Sequence, residues 1–200
     1  MFGKGTNREV EIKLRVGDAA AGRSLLRKAG FRVARRRRFE SNAVFDRPGG
    51  QLRKHGMLLR LRRVGCRAIL TFKGRSVVGR HKTREEIELE ITEPEPLTMI
   101  LGRMGFREAF RYEKYRTDYE LKGTEGVATL DETPVGVYIE LEGTPGWIDH
   151  AARELKFTED HYITKSYGQL YIEDCRRKGL APRHMVFQHP RHGGVARKQP

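Results

Sequence analysis

Residues 9–14, Glu-Val-Glu-Ile-Lys-Leu, alternate charged and apolar side chains without a break. In a β-strand successive side chains point to opposite faces. Glu9, Glu11 and Lys13 therefore share one side, while Val10, Ile12 and Leu14 share the other. The apolar side faces a core, which leaves the charged side to line water or a ligand.

The same alternation recurs along the chain. Arg60 and Arg62 flank Leu61, and Thr71 and Lys73 flank Phe72. Arg84, Glu86 and Glu88 share a face, with Ile87 and Leu89 on the other. Lys114 and Arg116 flank Tyr115, Asp131 ends a strand-like run, and Glu140 and Glu142 flank Leu141. One such pair is an ordinary wet face of an antiparallel sheet. This many imply strands that present charge to a shared interior, as in a sheet closed on itself. Charges of both signs are costly inside a barrel unless each is paired or bound. A polyanion accompanied by a cation satisfies that demand.

Strand patterns dominate the rest, near 8–16, 32–46, 57–64, 67–73, 83–92, 109–120, 126–132 and 136–143. Short helices are expected at 18–29, 95–104, 147–156 and 166–177, with Asp18 as a cap and Gly30 and Gly105 as stops. A weak internal repeat joins three strand–helix units. Glu9-x-Glu11, Glu86-x-Glu88 and Glu140-x-Glu142 each precede a helix that ends at Gly30-Phe31, Gly105-Phe106 or Lys156-Phe157. The unequal spacings exclude a solenoid.

Forty Lys and Arg against twenty-six Asp and Glu give a net charge of +14, which favours an anionic partner. The run Arg35–Arg38 lacks interleaved aromatics in sequence, so nucleic acid is not the expected partner. No apolar run reaches the length of a membrane span, and no secretory signal is recognised. Cys66 and Cys175 have neither zinc nor disulfide spacing. A cytoplasmic location is expected. Residues 181–200, rich in Pro, Gly and His, contain Arg183, Arg191, Arg197 and Lys198 and no acid. They read as a disordered tail, in which His184, His189 and His192 are at most adventitious ligands. The expected division is a domain over 1–178 and a basic tail over 179–200.

Paired carboxylates suit hard divalent ions such as Mg²⁺ or Mn²⁺, and Arg and Lys suit phosphate oxygens. Together they are the recipe for phosphoryl or nucleotidyl transfer. No Walker GxxxxGK[ST] is present, so side chains must hold the phosphates.

E-x-E-x-K, HGMLLRLRR, TFKG, R-x-E-x-E, Asp131 and the late E-x-E, in that order over residues 7–175, resemble the CYTH family, also called triphosphate tunnel metalloenzymes. The resemblance implies an α+β fold: a closed eight-stranded antiparallel barrel, open at its ends, with short helices packed outside. It assigns Glu9, Glu11, Asp131, Glu140 and Glu142 to Mg²⁺ or Mn²⁺. It assigns Lys13, Arg60, Arg62, Lys73, Arg84, Arg116 and Lys165 to phosphate, with Lys114 as the alternative to Arg116. Lys13, Arg60 and Arg62 are the catalytic candidates, and the role of Glu86 and Glu88 varies between subfamilies. The implied substrate is ATP, tripolyphosphate or thiamine triphosphate. The reaction is cyclisation of ATP, as in class IV adenylate cyclases, with triphosphate hydrolysis as the alternative. A homodimer is compatible with the sequence, but no interface is read from it.

Overall fold

The computed structural model describes residues 7–188. In chain order it runs β1 (Asn7–Val16), α1 (Ala19–Lys28), β2 (Arg32–Asp46), α2 (Gln51–Lys54) and β3 (Leu58–Val64). Next come β4 (Arg67–Lys73), β5 (Val77–Val78), β6 (Lys82–Ile91), α3 (Pro94–Arg103) and β7 (Arg107–Glu120). The described chain ends with β8 (Val127–Thr133), β9 (Gly136–Glu142), α4 (Pro145–Glu154), a 3₁₀ turn at Glu159–His161 and α5 (Tyr167–Arg177). Three of these, α2, β5 and the 3₁₀ turn, are too short to leave a periodic signal in the sequence.

Eight strands close an antiparallel barrel in the order β1-β9-β8-β7-β2-β3-β4-β6, with β6 returning to β1 and β5 added against β6. Closure removes the exposed edges that an open sheet of this size would present. Ile12 and Leu14 point outward from β1 and are fully buried beneath Leu26 of α1 and Ile148, Ala151 and Ala152 of α4. On the opposite side Phe45, Leu61 and Ala68 pack against Leu101 of α3. The apolar core is thus on the outside of the barrel, and the lumen is left to polar side chains.

The three strand–helix units end alike. Asp18 caps α1 by accepting the Ala21 N–H at 2.8 Å. Gly30, Gly105 and Lys156 take φ of 85°, 84° and 67°. The phenylalanine that follows each donates its N–H to a helix carbonyl, Phe31 to Leu26, Phe106 to Leu101 and Phe157 to Ala152, at 3.0, 2.9 and 2.9 Å. This is the Schellman closure, which favours a residue without a Cβ at the turn. Lys156 is the one non-glycine residue at positive φ among those described. Relieving its strain outweighs the added freedom of glycine in the unfolded chain, so Lys156→Gly is expected to raise stability by about 0.5 kcal/mol. Urea denaturation checks this, and a loss of stability would show that the lysine side chain stabilises the turn.

The expected tail boundary is corrected through Gln188. Met185 is fully buried, bridges Tyr112 in parallel, and exchanges backbone hydrogen bonds with Arg111 and Glu113 at 2.9 Å. Phe187 packs on Tyr115, with ring centroids 5.2 Å apart. The Nδ1 of His184 accepts the Arg111 N–H at 3.0 Å, so that ring nitrogen is committed to the fold. Two apolar anchors in a basic segment account for the docking: Met185 and Phe187 find apolar partners that outweigh the cost of ordering the chain. His189, His192 and the remainder of the tail lie outside the described residues. Met185→Ala is expected to cost about 2–4 kcal/mol, read as a lower urea midpoint at unchanged slope.

Candidate active site

Strand parity places the charged residues of β1, β9 and β6 on one wall of the lumen and those of β3, β7 and β2 on the other. On β1, Glu9 accepts two hydrogen bonds from Lys73 Nζ at 2.6 and 2.8 Å and one from Arg84 Nε at 2.9 Å. Burial and the adjacent Glu11 carboxylate push the Glu9 carboxyl up, but Lys73 and Arg84 prevail and bring it down to about 2. Glu11 meets Lys82 at 2.6 Å and Lys13 at 3.3 Å. Its burial is likewise overcome, by Lys13 and Lys82. Lys13 reaches across to Glu140 at 3.7 Å.

Asp131 on β8 is fully buried and accepts from Lys114 at 2.9 Å, Arg116 Nε at 2.6 Å and the Tyr167 hydroxyl at 2.7 Å. Burial would raise its carboxyl, but Arg116 and Lys114 hold it well below the ordinary carboxylate range. Asp131 thus fixes the direction of two cations. Lys114 and Arg116 both face the lumen, because residues two apart on a strand share a side. Arg60 donates to Tyr112 and Thr71 at 3.1 Å each, and Arg62 pairs with Glu88 at 2.9 Å. Glu86 pairs with Lys73 at 3.1 Å.

Two cations stand out. Burial, then the charge of Arg60, lowers the Arg62 pKa; burial, despite Glu11, lowers that of Lys82. Both are desolvated beyond what their partners offset, as befits groups that bind an anion. Glu142 is the converse. It has no cation partner among the described residues, and its side chain still reaches solvent. The confines of the tunnel, then the neighbouring Glu9 and Glu140 carboxylates, push it up to about 7. No three acidic, histidine or cysteine side chains among the described residues already surround an ion-sized point. Even so, Glu142 crowded against Glu9 and Glu140 fits a hard divalent cation, whose charge would relieve that repulsion.

The tunnel has one floor. Tyr112, Tyr138 and Tyr167 cluster with Val135 and Met185 at the end where β7 and β9 begin. Lys13 and Lys114 lie 5.2 and 5.3 Å above the Tyr167 ring. The expectation of a barrel open at both ends is corrected accordingly. The open mouth is at the opposite end, with Glu142, Arg62 and Glu88.

Most of the expected site residues are brought together: Glu9, Glu11, Lys13, Arg60, Arg62, Lys73, Arg84, Glu86, Glu88, Lys114, Arg116, Asp131, Glu140 and Glu142. Lys165 is not. It pairs with Glu173 at 2.8 Å and is half exposed. Ser166 caps α5, and the first residue of that helix, Tyr167, turns to the lumen in its place. Lys82, Glu40, Asn42 and the three tyrosines were not anticipated. Lys82 extends the Arg84-x-Glu86 alternation by one step, and Glu40 and Asn42 continue that of Arg38, so strand parity could have found them. Asn42 is fully buried and its amide has no protein partner.

The fold and site define a charge-lined tunnel barrel. Sequence comparison agrees: the CYTH domain matches residues 7–167, and the chain belongs to that family, which is generally metal-dependent. A candidate adenylate cyclase of Methanocaldococcus jannaschii is 29% identical over 173 residues, covering 81% of this chain and 97% of the relative. A candidate adenylate cyclase from Vibrio parahaemolyticus superimposes with TM-score 0.71 at 21% identity, covering 82% of this chain and 98% of that one. A Hippeastrum protein described as a candidate adenylyl cyclase with a dominant triphosphatase activity gives TM-score 0.59 at 20% identity, over 87% and 97% of the two chains. The latter two likenesses show the fold. No helix among the described residues is long and apolar enough to cross a membrane.

Replacing Asp131 by Asn removes the nearest anion of buried Lys114 and Arg116 and leaves them only the more distant Glu40, at 3.7 Å, and Glu140, at 3.3 Å. Asp131→Asn is therefore expected to cost about 3–5 kcal/mol at neutral pH. The carboxyl is depressed in the folded state, so its contribution is present above the unfolded value of about 4 and declines as pH falls below it. The gap between variant and wild type, followed by urea denaturation, should narrow on acidification.

Proposed function

We propose that the chain is a metal-dependent enzyme acting on a triphosphate held in the tunnel, with ATP cyclisation as its reaction. The observation that carries this reading is the layering of charge along the lumen. Lys13 and Lys114 lie deep, over the tyrosine floor, the Glu9–Lys73 pair lies between, and Glu142 lies toward the mouth. A triphosphate entering from the mouth puts its terminal phosphates among the deep lysines. The phosphorus bearing the organic group stays beside the acids.

In this reading the 3′-hydroxyl oxygen of ATP bonds to the α-phosphorus, the bond to the β-phosphate oxygen breaks, and pyrophosphate leaves carrying the electron pair. The hydroxyl proton passes to solvent at the mouth. Lys13, Lys73, Arg60 and Lys114 hold the departing pyrophosphate, while Arg62 and Arg116 face the oxygens on which charge develops. Glu9, Glu11, Glu140 and Glu142 would hold Mg²⁺ or Mn²⁺, which supplies neutralisation of the phosphate oxygens. Asp131, whose oxygens are taken by Lys114, Arg116 and Tyr167, orients cations in this scheme.

The second reading is hydrolysis of a triphosphate, with water attacking a phosphorus in the same tunnel. It is favoured by the Hippeastrum protein, in which a triphosphatase activity is described as dominant. Incubation with ATP, tripolyphosphate and thiamine triphosphate, each with Mg²⁺ or Mn²⁺, distinguishes the two. Cyclic AMP with pyrophosphate is the expected outcome, and orthophosphate release alone would replace cyclisation by hydrolysis. Glu9→Gln and Glu142→Gln should each abolish turnover with circular dichroism unchanged. Full activity in both variants would remove the site assignment.

A further inference from the structure

Arg32, Arg35, Arg36, Arg37 and Arg38 place five cations and no acid within seven residues of β2. The tunnel uses only the last of them, which pairs with Asp118 at 3.0 Å and Glu40 at 3.3 Å. The others stand on a part of the sheet that the barrel does not complete. β2 pairs with β3 only over Ser41–Phe45, so residues 32–39 pair with β7 alone and keep one edge unpaired among the described residues. Two register shifts, between Val33 and Arg35 and between Arg35 and Arg38, re-aim the side chains of this ribbon. Arg37 pairs with Glu132 at 2.8 Å, whereas Arg32, Arg35 and Arg36 are exposed with no acid partner among the described residues. Charge on an open edge discourages aggregation, but that role does not call for aromatic neighbours, and this edge has them.

The arginine run lacks aromatics in sequence, but the fold supplies them. Phe39, Tyr115 of β7 and Phe187 of the C-terminal segment form a row on the outer face, with ring centroids 5.3 and 5.2 Å apart. The Arg37 guanidinium lies 3.6 Å from the centroid of the Tyr115 ring. None of the three rings joins an apolar cluster of the core, and Phe39 is 37% exposed. Beyond Phe187 the sequence continues with Arg191, Arg197 and Lys198 and no acid.

We propose that this β2 edge binds single-stranded RNA, with phosphates on Arg32, Arg35 and Arg36 and a base stacked on Phe39. Exposed rings beside unpaired cations fit a polymer in which flat apolar faces alternate with phosphates. An acidic protein surface offers the charge without the flat faces, and a duplex keeps its base faces stacked inside. Unpaired bases are the usual recognition elements of RNA loops and ends. Residues 32–39 span roughly 25 Å of extended chain, enough for about four nucleotides, as in the shorter single-strand sites.

Fluorescence anisotropy of the full chain with a labelled single-stranded RNA of mixed sequence, titrated over a range of salt concentrations, tests the proposal. The wild type should bind at low salt. Arg35→Glu combined with Arg36→Glu should weaken binding roughly tenfold or more, and should lower the slope of log affinity against log salt by about 0.7 per phosphate contact removed. Phe39→Ala should weaken binding roughly tenfold with the salt slope unchanged. Arg103→Glu combined with Arg153→Glu makes the same change in net charge at exposed positions of α3 and α4, and should bind as the wild type does. The substituted arginines are exposed, so circular dichroism should be unchanged. A wild type that does not bind overturns the proposal. An equal loss in the Arg103 and Arg153 control also overturns it, by making the effect one of net charge, and full binding by the Phe39 variant does so by removing the stacked base. Equal affinity for a duplex, or tighter binding to the DNA strand of the same sequence, would overturn the assignment to single-stranded RNA.

Discussion

Opposite charges paired across the lumen hold this barrel in register. Glu9 on β1 is gripped by Lys73 of β4 and Arg84 of β6. Glu11 is gripped by Lys82 of β6, and Asp131 of β8 by Lys114 and Arg116 of β7. Each group is buried, so an unmatched one would cost several kcal/mol. A slip of one residue along any strand would send its charges under the helices and its apolar residues into the lumen. Helix packing outside and ion pairing inside therefore demand the same register, and neither alone explains why it is unique.

The pairing also limits what can bind. Lys13, Arg38, Arg60, Arg62, Lys73, Lys82, Arg84, Lys114 and Arg116 face Glu9, Glu11, Glu40, Glu86, Glu88, Asp118, Asp131, Glu140 and Glu142, nine cations against nine acids. A bare polyphosphate entering this neutral lumen would capture the cations and strand the acids. A polyphosphate that arrives with divalent ions replaces both sets of partners at once. The structure contains the two signs of strain this predicts: a carboxyl at Glu142 pushed up to about 7, and cations at Arg62 and Lys82 pushed down. In the proposed reaction, charge balance would give a divalent ion a role beside its catalytic one.

Alternation made the strands and most of the lumen legible in the sequence, because a period of two reports face directly. What escaped lacked a period or sat at the end of one. Lys82 fell one residue outside the expected strand. Tyr167 enters from the first turn of a helix, and Met185 from a segment whose charge suggested disorder. Their positions depend on long-range packing at the floor of the barrel, which no local pattern encodes. Lys165 shows the reverse error: its neighbourhood in sequence pointed to the tunnel, but the capping turn at Ser166 directs the next residue inward and leaves the lysine outside.

The tyrosine floor has a further consequence for specificity. In the proposed reading, with one end filled by Tyr112, Tyr138 and Tyr167, a triphosphate enters phosphates first, and whatever it carries remains at the mouth. The charged residues that define the lumen would then read phosphate and metal, and leave the organic group to the mouth. Discrimination between a nucleoside, thiamine or no substituent falls to the strand ends and loops around Glu142, Arg62 and Glu88, where loops vary more freely than the barrel they join. Two proteins can then share every lumen carboxylate and lysine and still differ in which phosphorus is attacked.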